Sequence, residues 1–123
     1  MRLTAIFLAL TLAAPVFGFT AQNGMRVERD SATGFSVPWI GRGGPADFWC
    51  AAGDFGVRKL HLAPGQKIYR ASEPPRRSGE PMRFTLNAEG AASATGLLML
   101  WGEGAGLSVG HAQSLCEPGF KNR

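Results

Sequence analysis

Cys50, His111 and Cys116 are the residues in this chain whose types and spacing could do chemistry. Cys50 lies in the first turn of an expected helix, where the helix dipole lowers a thiol pKa. His111 follows Gly110 on an expected late strand. A thiolate nucleophile with an imidazole base is the working pair of a cysteine hydrolase. The competing fate is a Cys50–Cys116 disulfide. Only two cysteines are present, and they stand 66 positions apart behind an apolar N-terminal run that reads as an export signal. Export favours the bridge over free thiols. No third residue stands out to orient His111, which falls in phase with Leu107 and Val109, and no catalytic signature surrounds Cys50. No catalytic residue is therefore assigned. Cys50 and His111 remain the enzymatic alternative, a small secreted hydrolase. Closing a loop of this length contributes about 4 kcal/mol in the chain-entropy picture.

Other reactive types are sparse. The two histidines are fifty positions apart, and no His, Cys, Asp and Glu set has metal-ligand spacing. No metal or cofactor is expected. The glycine runs at 41–44 and 102–106 lack the strand, spacing and lysine of a phosphate loop and read as turns. Arg70, Arg76, Arg77 and Arg83 form the one basic concentration. Between them, Pro74 and Pro75 would stiffen an extended segment that holds Arg76 and Arg77 outward. Such a loop could touch an anionic envelope component or an acidic protein, although Glu73 and Glu80 dilute its field. It could also be the presented loop, 74–77, of a secreted inhibitor. Aromatic residues do not interleave with these arginines, so no nucleic-acid stacking surface is expected.

The compartment is read from the start of the chain. Met1-Arg2 carries one positive charge, residues 3–14 are apolar apart from Thr4 and Thr11, and Val16-Phe17-Gly18 offers small residues to a signal peptidase. This is the pattern of a signal peptide, residues 1–18, with cleavage after Gly18 and Ala21 as the second option. The stretch is too short to prefer a membrane anchor. A periplasmic or secreted location follows. The full chain has 123 residues and a formal net charge of +4, which loss of Arg2 lowers to +3, too little to argue nucleic acid. Hydrophobic residues make up 45 %, which argues against disorder throughout.

Elements able to position these groups are legible by period and punctuation. Residues 19–33 carry few apolar positions and read as a leader with a short strand at 25–28. Phe35, Val37 and Trp39 alternate with Ser36 and Pro38, an edge strand by its proline. Residues 46–60 form the one good helix: Pro45 suits its first position, Asp47 its positive end, and Arg58 and Lys59 its negative end. Phe48, Ala51, Ala52 and Phe55 make its buried stripe, with Asp47, Asp54 and Arg58 on another face. Gly53 and Gly56 weaken the helix unless it approaches a sheet closely. Strands follow at 67–72, with Ile68 and Arg70 opposite in phase to Tyr69, and at 82–87. A continuously apolar stretch at 97–101 suits a central strand. A last strand starts at Leu107 and Val109 and runs towards Cys116. Tyr69 and Trp101 could line a groove, with burial the default. The expected fold class is α+β: one helix, about 46–60, on a small antiparallel β-sheet, stapled by one disulfide. It forms a single domain over 34–117 with a loose tail at 118–123.

The stretches ADFWCAAGDF at 46–55, IYR at 68–70, RFTL at 83–86 and GLSVGHAQSLC ending at Cys116 together resemble a group of small secreted alphaproteobacterial proteins of unknown function. Members carry an aromatic-Trp-Cys segment and a C-terminal cysteine. The resemblance covers most of the mature chain. It implies a paired role for Cys50 and Cys116 and carries no activity across. The combined expectation is an exported, disulfide-stabilised, non-enzymatic domain with a binding or structural role in the cell envelope.

The intact mass of the exported protein is expected to show loss of residues 1–18 and no thiol alkylation before reduction. Two alkyl groups added without reductant would overturn the bridge.

Overall fold

Short alternating runs separated by glycine and proline suit an antiparallel sheet, and their apolar faces need one common cover. The computed structural model describes residues 18–40, 43–97 and 104–117. Within these, strands β1 (Phe19–Thr20), β2 (Arg26–Arg29) and β3 (Gly34–Val37) precede helix α1 (Pro45–Arg58). Strands β4 (Lys67–Arg70), β5 (Met82–Thr85) and β6 (Gly106–Ser108) follow, and helix α2 (Val109–Ser114) ends the series. A single 3₁₀ turn, Ala88–Gly90, interrupts the connection after β5. Among the described residues the strands form one sheet in the order β1-β2-β3-β5-β4-β6, with every neighbouring pair antiparallel. The α+β architecture with one main helix and one disulfide is as expected.

Register sorts the residues onto two faces. Phe35 pairs with Phe84, Val37 with Met82, and Ile68 with Leu107, and all six are buried. Phe84 also pairs with Arg70, which puts that cation on the same inner face. Arg83 and Lys67 alternate with these residues and are exposed. A chain of rings runs through the core. Phe19 meets Phe55 at 5.6 Å, Phe55 meets Phe35 at 4.8 Å, Phe35 meets Phe84 at 5.6 Å, and Phe84 meets Trp49 edge-on at 4.9 Å. Each pair adds about 0.5–1.5 kcal/mol beyond its area burial.

The surroundings of α1 depart from the expectation of one buried stripe. Every residue from Phe48 through Gly56 is buried, Asp54 included. The reason is α2. The chain beyond β6 turns helical at Val109, capped by the Ser108 hydroxyl, which accepts from His111 N at 3.2 Å. The expected long last strand is thus three residues followed by a helix, and His111 stands exposed on that helix. Helix α2 lies against α1, so Gly53 and Gly56 face a helix and not the sheet. A Cβ at Gly53 would sit 2.6 Å from the Ala112 carbonyl carbon, and one at Gly56 would collide with the Val109 side chain.

Three further differences are local. Segment 19–33 is part of the sheet, with Ala21, Met25 and Val27 buried. Strand β3 is interior, between β2 and β5, because it stops before Pro38 and so keeps its own N–H groups for the ladder. Trp39 beyond it is 41 % exposed. Cys50 is the sixth residue of α1, in its second turn. Residues 1–17 of the expected signal peptide, residues 98–101 of the expected central strand, Trp101 and the expected tail at 118–123 lie outside the described residues. Leu97 itself is not in a strand.

Gly53→Ala is expected to lose about 1–3 kcal/mol of stability in urea, the usual cost of overpacking. Gly65→Ala, where a Cβ would meet nothing within 4 Å, should stay within about 0.5 kcal/mol of the parent. Equal values for the two would show that the helix crossing is not close-packed.

Candidate functional site

Two clusters of polar side chains remain once the core is assigned. The first is a buried carboxylate. Asp54 is fully buried and accepts from Arg58 Nη1 at 2.7 Å, Gln22 N at 2.9 Å, Gln113 Nε2 at 3.2 Å and Gln22 Nε2 at 3.3 Å. Its acceptor capacity is spent on the chain itself, on partners from the N-terminal segment, α1 and α2. This saturation makes it a structural tie. Arg58 also lies over the Phe19 ring at 5.1 Å.

Cys50 and Cys116 are bonded to each other, with Cα atoms 4.8 Å apart. Neither sulfur is a thiol, so the nucleophile of the hydrolase alternative is engaged in the bridge. The bridge ties the second turn of α1 to the end of α2, where a strand end had been expected. Among the described residues no group of three or more His, Cys, Asp or Glu could hold a metal ion.

The second cluster is the arginine set, and the fold divides it. Arg83 lies on the outer face of the sheet, exposed, and Arg77 is exposed in the loop. Arg70 is 1 % exposed. Its Nη1 donates to the Thr95 carbonyl at 3.1 Å, an oxygen shared with Trp49 Nε1 at 3.0 Å. Its Nη2 reaches the Glu73 carbonyl only at 3.5 Å. Its Nε is the one buried side-chain polar atom among the described residues without a partner. Burial, and next the Arg76 charge, push its pKa down, while Glu73 and Glu80 act the other way. A guanidinium still stays charged at any ordinary pH. Arg76 turns inward, over the Phe48 ring at 4.3 Å, and its Nη1 donates to the Glu80 carbonyl at 3.3 Å. The outward reading of Arg76 is corrected here, because the ring holds it, and Arg70, expected among the anionic-surface contacts, is buried on the inner-face parity of its strand. The Pro74–Pro75 peptide is cis, not part of an extended segment.

The prolines separate two cavities. The larger, about 750 Å³, is walled by Ser72, Glu73, Arg77, Glu80 and Arg83 with Ala71 and the prolines, and carries both signs of charge. The smaller, about 420 Å³, is walled by Pro45, Arg70, Pro74, Pro75, Arg76, Met82 and Gly96, and among the described residues its only charged groups are the two arginines. Gly96 has φ +81, and a Cβ there would collide with Arg70 Nη1, so the close approach needs glycine.

The neighbouring carboxylates are occupied. Glu73 accepts from the Ser93 hydroxyl at 2.6 Å and the Ser93 N–H at 2.8 Å. The hydroxyl first, and then the N–H, hold its pKa below the ordinary carboxylate value. Glu80 Oε2 accepts from Arg77 N at 3.2 Å. The sequence showed the four arginines but not this partition, which depends on a loop contact with Gly96, twenty-six residues beyond Arg70. Parity along β4 was the available signal. Tyr69, half-buried, stands against Gly106 on the next strand.

The chain matches no protein-family model, no curated protein and no solved structure.

Because the folded pKa of Glu73 is depressed, its stabilising contribution is present above the ordinary carboxylate pKa. It is lost as pH falls through the folded value. Carboxyl resonances are expected to place the Glu73 midpoint below that of an unstructured glutamate, and Ser93→Ala should move it upward. A midpoint at or above the unstructured value would remove the clamp.

Proposed function

We propose that the chain is an exported, non-enzymatic binding domain of the cell envelope, and that it meets an anionic partner through loop 73–81 and the adjoining end of the sheet. The observation that carries this reading is the state of Arg70 and Arg76, two guanidinium groups held by carbonyls and a ring, with the nearby carboxylates turned to other donors. Arg77 and Arg83 extend the positive charge to the exposed side.

The export half of the proposal has its own support. A disulfide, and the lack of any helix among the described residues long and apolar enough to cross a membrane, are compatible with a periplasmic or extracellular location. Cleavage after Gly18 would leave β1 whole, with Phe19 paired to Val27, whereas cleavage after Ala21 would remove it. The resemblance to small secreted proteins with two cysteines points the same way. The bridged state of Cys50 favours binding over hydrolysis. The inward turn of Arg76 favours a cupped face over the protruding loop an inhibitor would present.

Vesicles containing anionic phospholipid are expected to bind the oxidised protein in low salt, more weakly as salt rises. Arg76→Ala/Arg77→Ala should weaken that binding roughly tenfold or more, at about 1 kcal/mol for each charge near the surface. Salt-independent binding, or no change in the double variant, would sink the proposal.

A further inference from the structure

The smaller cavity combines features that the larger one lacks. Among the described residues its charged walls are Arg70 and Arg76 alone. It meets α1 at Pro45, the first residue of a 14-residue helix, where the helix dipole is positive. Asp47, the acid of that first turn, accepts from Gly44 N at 3.1 Å. Arg70, 99 % withdrawn from solvent, carries an Nε–H with no acceptor among the described residues. A buried donor left unpaired costs about 1–3 kcal/mol, more when it is charged. Burying a guanidinium without a carboxylate is costlier still, and natural chains seldom keep one without compensation.

We propose that this cavity binds one compact oxyanion, a carboxylate or phosphate group, between the guanidinium groups of Arg70 and Arg76 at the start of α1, with Met82 and the prolines as its apolar walls. The oxyanion supplies the acceptor that Arg70 lacks and neutralises the repulsion between the two arginines. On the Nε side an arginine offers two parallel N–H donors, the geometry that carboxylate and phosphate oxygens accept in pairs. Gly96 permits the site, because any side chain there would displace the Arg70 guanidinium. The proposal deepens the anionic-partner reading and rests on it for the sign of the ligand alone.

The test uses the ¹⁵N-labelled, oxidised mature protein, titrated with inorganic phosphate and, separately, with acetate, at constant ionic strength set with chloride. A saturable shift of the Arg70 Nε–H resonance, together with the Ala46 amide, is expected with at least one of them. The stronger of the two identifies the oxyanion. Arg76→Ala should weaken binding at least about tenfold, since a charged hydrogen bond contributes about 1.5–3 kcal/mol. Lys59→Ala, at the far end of α1, should leave it unchanged. Gly96→Ala should abolish the shift while the amide spectrum of the sheet stays folded. Equal weakening by Arg76→Ala and Lys59→Ala would reduce the effect to overall charge and overturn the site, whatever the vesicles show. So would a linear, unsaturated shift with both anions. A saturable shift in a protein that ignores vesicles would keep the site and discard the surface partner.

Discussion

The structure depends on the contact between α1 and α2. Nine consecutive residues of α1 are buried, which no single sheet face could achieve. The sheet meets Trp49 through Phe84 and Phe55 through Phe35, and the glycine positions of α1 need a second cover. Helix α2 supplies it, and the backbones come close enough that Gly53 has no room for a Cβ. The bridge fastens that approach at one point, and Asp54 fastens it at another through Gln113. Asp54 also takes Gln22, so the first strand is tied to the same junction. One helix thereby carries the sheet, the second helix and the N-terminal segment.

Much of this was legible in the chain and some was not, for identifiable reasons. Alternation at Phe35 and Val37 and at Met82 and Phe84 gave β3 and β5, and Pro45 and Asp47 gave the start of α1, which ends at Arg58, short of the expected 60. The two glycines announced a close approach but not to what, because a missing Cβ admits a helix as readily as a strand. The stretch VGHAQS defeated the strand expectation: Leu107, Val109 and His111 alternate correctly, yet a serine at 108 with a free N–H three residues later caps a helix. Asp54 looked like a surface acid at helical spacing from Arg58. Only the arrival of Gln22 and Gln113, 32 and 59 positions away, makes it an interior one.

Arg70 sets two rules against each other. Strand parity with Ile68 places it inside, and charge places it outside. Parity prevails because the inner face at that end of β4 has backbone carbonyls to offer, from Thr95 and from Glu73. The cluster of four arginines in the sequence is therefore two pairs in space: a withdrawn pair beside the start of α1 and an exposed pair across the prolines. Composition reports their number, but the loop decides which of them share a cavity.

The Cys50–Cys116 bond also gives the chain a topology of its own. It closes residues 50–116 into a covalent ring that contains β4, β5, β6 and most of both helices. The exposed loop at 73–81 is an arc of that ring. An extracellular protease that cuts the arc once opens the ring without releasing a piece. Both halves stay joined through sulfur, and the sheet register between β4 and β5 can persist across the nick. In a protease-rich compartment, a molecule built this way can lose the continuity of an exposed segment and remain a single body of unchanged size.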